Sequence, residues 1–436
     1  MKKVLFLCYY FPPMGMGGTQ RSAKFVKYLP HFGWEPLVIT VKDIRYYAHD
    51  ESLLQELAGR QIERTESLDP LRLLARVRKS RPAKSAQAGA GKTNPLLNWL
   101  NRIVGGWLLI PDSKILWLPF AIRRSLSLIR AHKIDVVYTT SPPQSAHLAG
   151  LCLKAIAGVK WVADFRDDWT GGESQPSPTS WHRFINRLLE KWVLKSADQL
   201  VAMCQHLANS LWKKSGHFAL KRKVAVLMNG YDRDDFQDAL LLVANDRFTI
   251  THCGAITRVS DPEPVLLAIQ KLFQHHPGLK NEIVVQFIGT DLYGRFKALT
   301  RQLQLENSIW PLRYLPHRQA IQEIMRSHLL VLTIFKKTGE EIITGKVFEY
   351  LASGKPILMI AQPGEVARII QTHGRGTVVD NADIAGIQTA ILDYFKQFKA
   401  GCLPVAAPLS LPQFDREAQA GRLAAIFDQL VKTDVT

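Results

Sequence analysis

At 436 residues the chain exceeds what one ordinary core organises, so two domains of about 200 residues each are expected. Its 47% hydrophobic and 22% charged residues are the balance of a soluble globular protein; its five scattered cysteines exclude a disulfide framework or zinc knuckle and fit a reduced, cytosolic setting. The 56 Lys+Arg against 38 Asp+Glu leave +18, which favours acidic partners such as nucleic acid, anionic lipid surfaces or phosphorylated substrates without choosing among them.

The opening run, residues 4–8, is continuously apolar, as in a parallel strand buried on both faces. It ends at Pro12-Pro13 without a small-residue cleavage site, so it reads as a strand and not as a signal peptide. Gly15-Met16-Gly17-Gly18 leads into a helical pattern over residues 19–32, and a second strand follows at 36–41. Gln20 stands where a dinucleotide fingerprint needs its third glycine, so Gly17 and Gly18 read as a loop that lets backbone approach a ligand. Residues 60–93 look irregular and basic. There, Gly91-Lys92-Thr93 imitates a P-loop, but Ala86 occupies the first glycine's place and no strand precedes it. From Trp99 to Arg124 aromatic residues interleave with basic ones, a pattern that suits docking on an anionic bilayer and equally suits core-facing helices with solvated arginines. The longest other apolar stretch, 96–110, is interrupted by Asn98, Asn101 and Arg102 and falls short of the ~20 residues a spanning helix needs, so no transmembrane segment is expected.

Strands resume at 135–139 and 159–163, the second running into Asp164-Phe165-Arg166-Asp167-Asp168-Trp169. Acids past the carboxyl end of a buried strand stand where open α/β sheets bind ligands; an Arg166 ion-pair network that only fixes the loop is the competing reading. An amphipathic helix at 188–194, strands at 199–203 and 224–227, and the turn Asn229-Gly230-Tyr231-Asp232 complete a first domain over 1–235, carrying a basic and aromatic insertion at about 60–130. A second α/β domain, 245–410, has strands at 248–254, 283–288, 329–335, 356–360 and 377–379. The amphipathic helix of the last segment, 411–436, is a candidate to pack back on the first domain.

The richest stretch is 340–360, EEIITGKVFEYLASGKPILMI. Glu341 and Glu349 flank Thr344-Gly345-Lys346, where a helix start with unpaired N–H donors and a lysine can hold an anion. Glu349, one turn on, faces the same side. Phosphate and hydroxyl groups together suit such a site, as in a sugar nucleotide.

These residues resemble a retaining glycosyltransferase of family 4, in the two-domain GT-B fold, over nearly the whole chain. The carriers are Gly17-Gly18, TSPP at 140–143, DFRDDW at 164–169, NGYD at 229–232, Gly254, and TGKVFEYLASGKPI at 344–357. The resemblance implies two Rossmann-like α/β domains with a ligand cleft between them. Glu349 would hold the nucleotide ribose, Glu341 (or Glu340 beside it) the donor sugar, and the backbone at Thr344, Gly345 and Lys346 the diphosphate. Gly17, Gly18 and Gly254 would line the donor site. Arg258 and Lys346 would neutralise the leaving phosphates, although the family's usual basic pair with a Lys-Gly is not recognisable after Gly254. Asp164 and Asp167 would orient the acceptor or act as auxiliary base. No metal and no cofactor are implied, the nucleoside-diphosphate sugar being a substrate. The expected partners are a UDP- or GDP-sugar and a glycan or lipid-linked acceptor of cell-surface polysaccharide, at the cytoplasmic face of a membrane whose anionic surface is a further partner. A sugar-nucleotide epimerase and a non-catalytic membrane or assembly protein of the same fold are the alternatives. Nucleic acid has only the charge behind it and no recognition motif.

Overall fold

A computed structural model describes residues 1–14, 17–42, 50–68, 109–171, 178–215, 223–291, 293–334 and 343–432. The chain forms two compact units, Met1–Asn229 with Arg416–Thr436, and Gly230–Asp415. In the first, β1 (Lys2–Leu7), β2 (Trp34–Val41), β3 (Gln61–Thr65), β4 (Val136–Ser141), β5 (Lys160–Phe165), β6 (Gln199–Ala202) and β7 (Val224–Val226) make one parallel sheet, in the order β3-β2-β1-β4-β5-β6-β7. In the second, β8 (Phe248–Cys253), β9 (Ile283–Ile288), β10 (Leu329–Ile334), β11 (Ile357–Ala361) and β12 (Gly376–Val379) form a parallel sheet in the order β12-β11-β10-β8-β9. Both are the α/β sheets expected. Each order reverses once, between β1 and β4 and between β8 and β10, and ligands of open α/β sheets bind at the carboxyl ends of the strands flanking such a reversal.

The helices that matter below are α1 (Gly17–Tyr28), α2 (Leu118–His132), α3 (Ser145–Ala157), α4 (Ser180–Ser196) and α5 (Gln205–Ser215) in the first unit. In the second they are α6 (Glu263–His275), α7 (His317–Arg326), α8 (Lys346–Ser353) and α9 (Ile384–Lys399). Central strands are apolar along their length because helices cover both faces: every residue of β4 and β9 is buried. The Gly17-Gly18 pair opens α1, while Gly15 and Met16 lie outside the described residues.

One strand corrects the sequence reading. β3 lies inside the stretch expected to be irregular. As the edge of its sheet, with β2 as its partner, it keeps a polar sequence, QIERT, and gives no apolar run to read. Of the aromatic and basic stretch, the described part favours the core: Trp117 is fully buried and donates its indole N–H to Thr65 Oγ1 (2.8 Å). Trp99, Trp107 and the P-loop imitation lie outside the described residues. Among the described residues no helix is long and apolar enough to cross a membrane.

The last helix, α10 (Arg416–Lys432), belongs to the first unit and packs on α1. Ala420, Leu423, Ala424 and Phe427 enter the core shared with Phe6, Trp34 and Tyr138, and the Phe427 ring lies 5.1 Å from that of Trp34. Asp428 ties the helix to the sheet by accepting from Lys2 Nζ (2.6 Å) and Trp34 Nε1 (3.2 Å). Truncating a buried aromatic removes its transfer free energy and leaves a cavity, so Phe427→Ala should destabilise this unit by about 3–5 kcal/mol. A lower denaturant midpoint for the first unit's tryptophan signal checks this.

Candidate active site

In the second unit the site is built where β8 and β10 diverge. Gly254, after β8, has φ +139°, and a Cβ there would come within 2.8 Å of Lys346 Nζ. The missing side chain is what lets Lys346, first residue of α8, lie across the strand end. Lys346 Nζ is 3.2 Å from Ser260 Oγ and 3.4 Å from His252 Nε2. His252 Nδ1 faces the Val331 carbonyl at 3.2 Å, which can only accept, so Nδ1 carries the proton and Nε2 is left to accept from the ammonium. Burial, together with the Lys346 charge, holds the His252 pKa well below the usual histidine value and keeps the ring neutral. Both close partners of Lys346 are therefore neutral, and among the described residues no carboxylate reaches it as an ion pair. Burial lowers its pKa to about 8, with Cys253 and Glu349 acting in the opposite direction.

The start of α8 is open. Gly345 at its N-cap makes no side-chain cap, and among the described residues a Cβ on Gly345 would meet nothing within 4 Å and the buried Thr344 hydroxyl has no hydrogen-bond partner. The positive end of a helix dipole, a hydroxyl and a cation, the last two without a partner of opposite kind among the described residues, thus share one helix end. The Tyr350 hydroxyl fixes α8 by accepting from the Cys253 N–H (2.7 Å) and facing the Val331 carbonyl (3.3 Å). Glu349 Oε1 lies 3.9 Å from His317 Nε2, which also faces Asp235 Oδ2 at 3.1 Å. Arg258 is exposed on the loop after β8, its guanidinium 5.5 Å from the centre of the Tyr293 ring. Glu340 and Glu341 lie outside the described residues.

In the first unit the three acids of DFRDDW separate. Asp164 is fully buried and takes a two-point ion pair from Arg21, Nε to Oδ2 at 3.0 Å and Nη2 to Oδ1 at 2.9 Å, with Thr140 Oγ1 donating at 3.0 Å. Burial pushes its pKa up, but the Arg21 charge and hydrogen bonds prevail and lower it. This carboxylate is committed to joining α1 to the sheet. Asp168 pairs with Lys214 and accepts from Ser210 Oγ (2.6 Å), which ties the loop to α5. Asp167 makes neither kind of bond among the described residues. Burial raises its pKa against the lowering effect of Arg166, leaving it the member of the three best suited to take a proton. Arg166 donates to the carbonyls of Ser141 (2.9 Å) and Pro142 (2.6 Å), and its Nη1 lies 2.1 Å from where a Gly18 Cβ would be. Gly18 thus makes room for an arginine.

Further buried atoms without a hydrogen-bond partner among the described residues lie where β1 and β4 diverge: Thr19 Oγ1 on α1, Ser141 Oγ at the end of β4, Gln144 Oε1, and His147 Nε2 on α3. Sequence reasoning missed these, as it missed His252, Ser260, Asp235 and His317. Apart from Ser141 in TSPP, none sits in a motif, and only the strand order shows what they adjoin. A concavity of about 740 Å³ along α2 contains none of the site residues.

Residues 17–230 match the family model described as a glycosyl transferase 4-like domain, and residues 233–399 match the one described as glycosyl transferases group 1. The chain belongs to the group 1 glycosyltransferases. Its fold is GT-B, shared with solved structures at low identity. Sucrose-phosphate synthase from Thermosynechococcus elongatus matches at TM-score 0.64 and 14% identity, covering 99% of this chain and 100% of that one. A co-structure of S. aureus MnaA with UDP matches at 0.52 and 13%, covering 97% and 95%. A putative UDP-N-acetylglucosamine 2-epimerase from Listeria monocytogenes matches at 0.55 and 12%, covering 99% and 98%. No curated protein matches the chain in sequence.

Two substitutions separate structural from binding roles in this glycosyltransferase. Asp164→Asn strands the buried Arg21 charge and should cost about 3–5 kcal/mol of stability, while Asp167→Asn should leave the melting temperature nearly unchanged; thermal unfolding of both variants checks this. Because His317 links Glu349 to Asp235, His317→Ala should raise the KM for the sugar donor about tenfold with a smaller change in kcat, as steady-state kinetics would show.

Proposed function

We propose that this glycosyltransferase moves a sugar from a UDP- or GDP-sugar to a glycan or lipid-linked acceptor of cell-surface polysaccharide, with retention of configuration and without a metal. The observation that carries the reading is the half-buried Lys346 ammonium, without an ion-pair partner among the described residues, at the uncapped start of α8 beside the Thr344 hydroxyl. Such a cation favours an anionic ligand, and a diphosphate supplies negative charge. MnaA, which has the same fold, is known in a co-structure with UDP, and this makes UDP the first nucleotide to test.

Breaking the bond between sugar and phosphate leaves positive charge on the sugar ring and adds negative charge to the departing diphosphate. The α8 N–H groups, Lys346 and Arg258 would stabilise that developing charge, as donors fixed beforehand do most effectively. Glu349, braced by His317, would bind the ribose hydroxyls, and Glu341 those of the donor sugar. The leaving phosphate would take the acceptor proton on the face it departs from, giving retention. Asp167 would orient the acceptor hydroxyl or assist that transfer, and the unpartnered groups where β1 and β4 diverge supply hydrogen bonds for a hydroxyl-rich acceptor. A sugar-nucleotide epimerase is the second reading, favoured by the 2-epimerase among the structures of similar fold. It would consume donor with no acceptor present, which a transferase would not do.

Calorimetry with UDP and GDP tests the donor reading, and binding of neither overturns it. The pH dependence has a defined sign. Lys346 loses its proton as pH rises through about 8. Affinity for the diphosphate should therefore be flat below that pH and fall above it by up to about tenfold per pH unit. Lys346→Gln should bind at least about tenfold more weakly near neutral pH and abolish the fall.

A further inference from the structure

Helix α4 has two faces that do different work. Its inner face holds it to the first unit: His182, Asn186, Glu190, Val193 and Leu194 are buried, Asn186 accepts from Trp169 Nε1 (3.0 Å), and Glu190 pairs with Lys214 (3.0 Å). The outer face presents Trp181, Phe184 and Trp192, which are 62%, 63% and 49% exposed, with the partly buried Leu188 among them. Their spacing of three, four and four residues makes one stripe along a helix of 17 residues, about 25 Å long. Beside it, Arg183, Arg187, Lys191 and Lys195 recur every fourth residue, all exposed. Arg187, Lys191 and Lys195 have no ion-pair partner among the described residues, and the one acid of the helix, Glu190, points inward.

Three large aromatic side chains keep half or more of their surface in water, and a contiguous patch of this kind marks a contact surface. The charge beside it selects the partner. Tryptophan and phenylalanine enter the boundary between headgroups and acyl chains, while arginine and lysine stems lie along apolar surface with their charges at the phosphates. The cores of protein interfaces, by contrast, are depleted in lysine. We propose that the outer face of α4 docks this protein on an anionic phospholipid bilayer, lying in the plane of the surface. The inference stands on this helix alone and does not depend on the identity of the sugar donor.

The full chain would be floated with vesicles of phosphatidylcholine, with and without about a third phosphatidylglycerol. Wild type should bind the anionic vesicles at low salt, weaken as salt rises, and leave pure phosphatidylcholine largely unbound. Two triple variants alter exposed side chains only: Trp181→Ser with Phe184→Ser and Trp192→Ser, and Arg187→Glu with Lys191→Glu and Lys195→Glu. Each should lower partitioning about tenfold or more with an unchanged melting temperature. Absent binding by the wild type, or binding that both variants retain, overturns the proposal. So does sedimentation showing that wild type self-associates through this face, and the serine variant does not, without any affinity for vesicles.

Discussion

A half-buried ammonium whose hydrogen-bond partners among the described residues are all neutral is the constraint around which the second unit is arranged. Gly254 gives it space, the tautomer of His252 offers it a lone pair, and Ser260 adds an oxygen. None of these supplies negative charge, so the folded chain holds part of the electrostatic balance open for a ligand. The rigidity of the surroundings makes that useful. The Tyr350 hydroxyl locks α8 to the end of β8 and to the middle of β10, which holds the helix start in place.

The first unit solves the opposite problem. Its buried cation, Arg21, is matched by the Asp164 carboxylate and the Met228 carbonyl, and this pairing ties α1 to the sheet. Arg166 then fills the space above Gly18, with carbonyl partners on the turn after β4. Here charge serves as mortar, and the fully buried atoms left unpartnered near the end of β4, among the described residues, belong to hydroxyls, an amide and an imidazole.

How much of this was legible in the sequence depends on whether the signal was local. Continuous apolar runs gave the central strands to within about two residues. The edge strand β3 was missed because it is polar. Thr344, Gly345, Lys346 and Glu349 are read together because one turn of helix brings them together. His252, Ser260, Asp235 and His317 come from other strands and helices, and no spacing rule connects them to α8. The acids of DFRDDW were visible as a group, but their division into mortar, loop tie and unpaired carboxyl is decided by Arg21 and Lys214, neither of which is adjacent in sequence.

The placement of α10 has a consequence for the order in which the protein takes shape. The chain leaves the first unit after Asn229 and returns at Arg416. The helix that caps Phe6, Trp34 and Tyr138 is therefore translated only after the whole of the second unit. Until Arg416–Lys432 is made, the apolar flank of the first unit's sheet lacks the helix that covers it. The half of the protein that begins first is finished last.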